Sequence, residues 1–225
     1  MSALWRRLVA FGFRLLYNEL AWLYDPVSWI TSLGRWRRWQ RAALAYLPAG
    51  GRVLEVAAGP GHLLADLATA GYQVAGLDLS PAMLRQARRR LAGRRLTAVL
   101  CRGRAGALPF ADGTFDAVVL TFPTPFVYQP ASVANLARVL REPGVEEGRP
   151  GGRLIVVEQA YFRRRDPAAR VLEWAYRITG QRGRPPDLPA LLAAAGLDAR
   201  RASVEVEGTT VGLVIADKAG SRADG

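Results

Sequence analysis

The stretch from Arg52 to Ser80, RVLEVAAGPGHLLADLATAGYQVAGLDLS, leaves this chain few ways to fold. RVLEVA is a hydrophobic run of the kind that forms a strand buried on both faces. It stops at small residues, Ala57, Gly59 and Gly61. HLLADLATAG then reads as a short helix ended by Gly71, a natural C-cap. YQVAGLDL is a second strand, and Asp78 stands at its carboxyl end. A strand, a helix and a second strand in that order make a right-handed crossover and a parallel sheet.

The alternation continues. Ser80-Pro81 supplies an N-cap and a proline at the first helical position of PAMLRQARRRLAG. LTAVLCRG, FDAVVLTF and RLIVVEQ read as three more strands, with ASVANLARVLR helical between the last two. PALLAAAGL is a helix. ARRASVEVEG and TTVGLVIADK are strands separated only by a turn around Gly208, which forces antiparallel pairing. REPGVEEGRPGG is a polar loop. The expected fold is α/β, a mostly parallel sheet closed at one edge by a hairpin, with helices on both faces. We expect an N-terminal segment over 1–48, one domain over 49–218 and a frayed tail over 219–225.

A strand that turns directly into a helix leaves unpaired N–H groups at the turn. Ala57, Gly59 and Gly61 clear side chains from it, so a ligand can approach the backbone. Asp78 ends a neighbouring strand, ~4.8 Å away, and can accept from both hydroxyls of a ribose lying there. The pattern reads as nucleoside binding. A dinucleotide site wants G-x-G-x-x-G. With Gly59 and Gly61 as the first pair, its third position is Leu64; with Ala57 and Gly59 it is His62. Glu55 would also repel a pyrophosphate, whereas it suits a cationic sulfonium carrying an ammonium group. These residues favour S-adenosyl-L-methionine over NAD.

VLEVAAGPG, then GLDLSPAML, GRAGALPFADGTFDAVVLTF and RVLREPG followed by GGRLIVVE, resemble the class I S-adenosylmethionine-dependent methyltransferases. Within them the chain is similar to the small-molecule group that includes the ubiquinone/menaquinone-biosynthesis enzymes. The resemblance covers Arg52 to Glu158 in four ordered blocks. It implies a seven-stranded sheet of order 3-2-1-4-5-7-6 with strand 7 antiparallel. It also implies that Glu55, Ala57, Gly59 and Gly61 surround the methionine moiety and that Asp78 binds the ribose. Leu79 and Met83 would flank the adenine, and Ala105 would offer its N–H to the adenine edge. Thr121 and Phe122 would border the methyl donor. Two positions depart from the family. Ala57 replaces the first glycine, a small change if its φ stays negative. Arg104 stands where the family carries an aspartate, and arginine can only donate or stack.

The other features divide between functional and plain readings. His62 opens a helix beside the loop and is a candidate for contact with cofactor or substrate, or a satisfied histidine. Tyr24, in WLYDPVSW, sits where N-terminal lids of the group fold over the cofactor, and Phe126 and Tyr128 follow strand four toward the pocket. Tyr24, Tyr128 and His62 are the catalytic candidates. TFPTPF lacks the acid or amide and the adjacent prolines of amine-directed nucleic-acid methyltransferases. Arg163, Arg164 and Arg165 read as a solvated face, and Cys101 as buried and inert. A single cysteine allows no internal disulfide and fits a reducing cytoplasm. No metal-ligand set is visible.

The net charge of +12 invites a nucleic-acid reading. However, Lys218 is the sole lysine and alanine, glycine and proline abound, so a genomic GC bias explains the arginines at least as well. The first forty residues hold Trp5, Trp22, Trp29, Trp36 and Trp39 and six arginines. Leu8, Phe11, Leu15, Leu16, Leu20 and Leu23 recur there at helical spacing, but Arg14 and Glu19 interrupt any membrane span. Two readings stand: helices packed on the main domain, or an interfacial segment resting on a membrane. The expected activity is methyl transfer to a small, lipophilic or aromatic acceptor. The alternatives are a basic nucleic-acid-binding or nucleic-acid-modifying protein on the same fold and, more remotely, an NAD-dependent oxidoreductase.

Overall fold

The computed structural model describes residues 8, 11, 12, 14–144, 150–162 and 186–219. Trp5, the Arg163–Arg165 run, part of the polar loop and nearly all of the expected tail lie outside them. Seven strands form one sheet: β1 (Arg52–Val56), β2 (Gln73–Asp78), β3 (Val99–Arg102), β4 (Ala117–Thr121), β5 (Arg153–Phe162), β6 (Leu197–Val206) and β7 (Thr209–Lys218). Their order is β3-β2-β1-β4-β5-β7-β6. The first five run parallel, and β7 is antiparallel to both neighbours. The turn at Glu207 and Gly208, both at positive φ, closes the expected hairpin.

The helices are α1 (Tyr24–Ser32), α2 (Trp36–Arg41), α3 (His62–Thr69), α4 (Pro81–Gly93), α5 (Pro130–Val139) and α6 (Leu188–Ala193). Alternation along the strands sends side chains to two cores. Leu54 and Val56 of β1 join Leu120, Leu154 and Leu136 of α5 on one face. Val53, Ile155 and Leu213 join Leu63, Leu64 and Leu67 of α3 and Trp39 of α2 on the other. Glu55 is on β1 two residues from Val53, so the pleat carries this carboxylate to the α3 face.

Helix α2 therefore packs on the sheet and on α3. The Trp39 indole donates to Thr209 Oγ1 at 2.8 Å. Arg41 forms a bidentate pair with the buried Asp66 of α3, at 2.8 and 2.9 Å. Arg37 reaches the same carboxylate at 3.2 Å. Two expectations need correction. Cys101 is half-buried rather than buried, because β3 is an edge strand with only β2 beside it. Ala57 adopts φ +59°, not a negative value, because the chain must reverse at once from β1 into the loop.

Candidate active site

The glycine loop is held by its own backbone. Ala58 N–H donates to Leu77 O at 3.0 Å, and Gly61 N–H to Ala58 O at 3.0 Å. Gly61 has φ +75°, and a Cβ there would lie 2.7 Å from Ala87 Cβ of α4. Its missing side chain thus serves helix packing. Gly59, with φ +55°, has open space where a Cβ would go, so its missing side chain leaves the crevice clear.

Asp78 joins the two halves of the site. Its Oδ2 accepts from Gly59 N–H and its Oδ1 from Ser80 N–H, both at 2.8 Å. Burial raises its pKa, although the N–H groups of Ser80, Gly59 and Leu79 favour the charged form. Each oxygen keeps a lone pair for a diol. Ser80 caps α4 by accepting from Met83 N–H at 3.2 Å, and its hydroxyl donates to Tyr17 O. This bond ties the N-terminal segment to the crevice rim.

Glu55 is fully buried, and its Oε2 has no hydrogen-bond partner among the described residues. Burial, with the charge of Asp78, pushes its pKa well above the carboxylate range, against a backbone hydrogen bond from Leu64. A buried orphan acceptor at a strand end calls for a cationic donor. The ammonium of a methionine moiety is such a donor, so the residues present fit S-adenosyl-L-methionine at both its ends.

Tyr24 is brought into this site. Burial is the largest cause that drives its pKa above the phenol range, and the charges of Tyr17, Asp25, Asp78 and Glu55 add to it. It therefore stays a protonated donor, unsuited to act as a base. Its ring lies 5.8 Å from that of Tyr17. Leu79 is exposed at the opening, and Met83, in the first turn of α4, is fully buried. Ala105 is buried, while Arg104 is exposed next to it. Thr121 and Phe122 end β4: Thr121 Oγ1 accepts from Gln40 Nε2 at 3.0 Å, and Phe122 stacks on Trp36 at 4.3 Å. Tyr128 packs partly buried against the core on the α5 face. It lies within reach of the charges of Glu158 and Arg201, and burial raises its pKa.

His62 has a partner that spacing could not reveal. Its Nε2 lies 2.8 Å from Asp25 Oδ1, and Arg90 donates to Asp25 Oδ2 at 2.7 Å. Burial alone would raise Asp25, but His62 and Arg90 outweigh it and hold the carboxyl below its ordinary range. The sequence pattern assigns no role at the cofactor site to Asp25, Arg37, Gln40 or Tyr17. The one signal for Asp25 was its place in Tyr-Asp-Pro, at the start of a helix.

Comparison with known proteins agrees with this geometry. A methyltransferase domain family matches residues 53–144. The demethylmenaquinone methyltransferase of Beutenbergia cavernae is 43% identical over 145 residues, 64% of this chain and 56% of that protein. The demethylmenaquinone methyltransferase of Thermobifida fusca is 35% identical over 167 residues, 72% of this chain and 67% of that one. The match thus spans little more than half of the first relative. A solved S-adenosylmethionine-dependent methyltransferase from Aquifex aeolicus superposes with TM-score 0.57 over 80% of this chain and 89% of that one; at 19% identity it speaks to the fold alone. With the strand order, the glycine loop and the carboxylates of Glu55 and Asp78 at neighbouring strand ends in place, the chain belongs to the class I S-adenosylmethionine-dependent methyltransferases of the menaquinone/ubiquinone-biosynthesis group.

Proposed function

We propose that the protein transfers a methyl group from S-adenosyl-L-methionine to a small, lipophilic aromatic acceptor. The observation that carries this is the pair of carboxylates at the mouths of β1 and β2. Asp78 is fixed by the N–H groups of Gly59 and Ser80, and Glu55 is buried with one oxygen unpartnered among the described residues. When bound, S-adenosyl-L-methionine supplies an electrophilic methyl on an excellent leaving group. The protein's part is alignment and exclusion of water, which is worth ~7–11 kcal/mol. Asp78 would hold the ribose and Glu55 the ammonium. Tyr17 and Tyr24 would cover them, and Trp36 and Phe122 would wall the reacting side. The names of the relatives support a quinol headgroup as the acceptor. The apolar outer face of the N-terminal helices supports an acceptor met at a membrane surface.

Calorimetry with S-adenosylhomocysteine tests the cofactor assignment. Asp78→Ala should weaken binding at least tenfold, the loss of about two charge-assisted bonds at ~1.5–3 kcal/mol each. Unchanged affinity would reject the assignment.

A further inference from the structure

A second opening lies on the N-terminal side of the glycine loop, lined by Asp25, Ser28, Trp29, Gly34, Trp36, Arg37 and His62. Its volume is about 170 Å³; an apolar cavity of roughly 150 Å³ holds one benzene ring. Three polar atoms on its lining residues are buried and lack a hydrogen-bond partner among the described residues: Trp36 Nε1, Arg37 Nε and His62 Nδ1. Buried polar groups left in this way call for a ligand or water. Indole and guanidinium nitrogens can only donate. His62 is different. Ionised Asp25 can only accept, so its 2.8 Å contact with Nε2 places the ring proton on Nε2. That leaves a lone pair on Nδ1.

The residues around the cleft therefore carry two donors and one base unpartnered among the described residues, and the indole rings of Trp29 and Trp36. The cleft begins at the residue that follows Gly61, where the loop meets α3. We propose that this cleft seats the headgroup of a dihydroxy-aromatic acceptor and that His62, oriented by Asp25, takes the acceptor's hydroxyl proton at Nδ1. This rests on the methyl-transfer reading above. The acceptor O–H bond breaks, its electron pair stays on oxygen, and its proton moves to Nδ1. The adjacent ring carbon bonds to the methyl carbon while the S–C pair leaves with sulfur as S-adenosylhomocysteine. The hydrogen on that ring carbon then passes through solvent to the oxygen. The net products are the methylated quinol, S-adenosylhomocysteine and the proton on His62. Arg37 and Trp36 would donate to the oxyanion as it forms. A carboxylate, such as the other end of the methionine moiety, fits less well, because Asp25 and the Nδ1 lone pair would repel it.

The test uses the full chain with a short-prenyl demethylmenaquinol as acceptor, in anaerobic single turnover. His62→Gln should slow methyl transfer at least ~100-fold while S-adenosylhomocysteine affinity stays within threefold, which also reports folding. The wild-type rate should fall on acidification, and His62→Gln should lose that limb. The charges facing His62 are Asp25 of α1, Arg37 of α2, Arg90 of α4 and Asp66 one turn along its own helix. Asp25→Asn, a change in a positioning residue, should lower the rate and displace the acid limb without moving S-adenosylhomocysteine affinity. Arg37→Met should weaken quenching of tryptophan fluorescence by oxidised demethylmenaquinone at least tenfold and leave S-adenosylhomocysteine binding intact. The proposal falls if His62→Gln keeps its rate within threefold or retains the acid limb. It also falls if Arg37→Met weakens S-adenosylhomocysteine but not 5′-methylthioadenosine, which lacks the amino-acid end. Binding of S-adenosylhomocysteine with no methylation of the quinol overturns this inference alone; no binding at all overturns the cofactor reading as well.

Discussion

Ala57 carries a Cβ at φ +59°, a conformation that costs an L-residue ~1–2 kcal/mol. The loop tolerates it because the hydrogen bonds of Ala58 and Gly61 fix the turn on either side. Ala57→Gly should therefore stabilise the protein by about 1 kcal/mol after the entropy of the unfolded glycine is deducted. In a thermal melt that is a rise of ~2–4 °C; a fall would mean that Ala57 makes a compensating contact. Glu55 stores strain of another kind. Its folded pKa is raised, so the folded state binds more protons than the unfolded state above the ordinary carboxylate range. Stability is full below that range and falls as pH rises toward the elevated value. An ammonium ligand reverses the preference, so S-adenosylhomocysteine should bind more tightly as pH rises through the same window and release a proton. Asp78 is shifted in the same direction, so the difference between wild type and Glu55→Gln isolates Glu55. Glu55→Gln should bind at least tenfold more weakly and lose its share of the pH dependence. Calorimetry in buffers of different ionisation enthalpy reads both; equal proton release from the two proteins would dismiss the pairing of Glu55 with the ammonium.

Among the elements, α2 and α3 are joined by charge as well as by the packing of Trp39 on the leucines of α3. Asp66 is buried, accepts from Arg41 and Arg37, and lies 3.8 Å from Arg94 beyond α4. Its burial is outweighed by these arginines, so its pKa is lowered. Its contribution is present above the unfolded carboxylate pKa and lost as pH falls through the folded one. Asp66→Asn should cost about 2 kcal/mol at neutral pH, since the half-exposed arginines regain water. Urea titrations should show that gap closing in acid; a pH-independent gap would point to packing instead. The elements themselves were legible, because strand and helix periods and the Ser80-Pro81 cap are local signals. Asp78 and Glu55 were legible for the same reason, standing at strand ends beside a glycine turn. The pairs His62–Asp25, Asp66–Arg41 and Thr121–Gln40 were not, because the partners lie 37, 25 and 81 residues apart. Only the docking of the N-terminal helices, through Trp39 and the arginines, brings them together. The sign of φ at Ala57 escaped as well: alanine gives no hint of positive φ, and only the closing of the loop onto Leu77 and Gly61 requires it.

For the molecule as a whole, no helix among the described residues is long and apolar enough to cross a membrane. Yet Trp22, Trp29, Ile30 and Leu33 recur at helical spacing along the outer side of the N-terminal segment and are exposed, Trp22 by 68% and Trp29 by 65%. Indole and aliphatic surface of this kind, on a chain of net charge +12, is what an anionic lipid interface attracts. Trp29 belongs both to this face and to the cleft that holds His62, so a prenylated acceptor could keep its tail in lipid while its ring enters the protein. Trp22 and Ile30 do not line the cleft, which makes them the clean probes. The full chain should float with vesicles containing anionic lipid and far less with neutral ones. Recovery should drop as salt rises to ~1 M, where the Debye length shrinks to about 3 Å. Replacing Trp22 and Ile30 by serine should cut recovery at least fivefold while S-adenosylhomocysteine affinity is unchanged. Equal flotation of the two proteins would mean that the apolar face has another use and that the acceptor arrives through water.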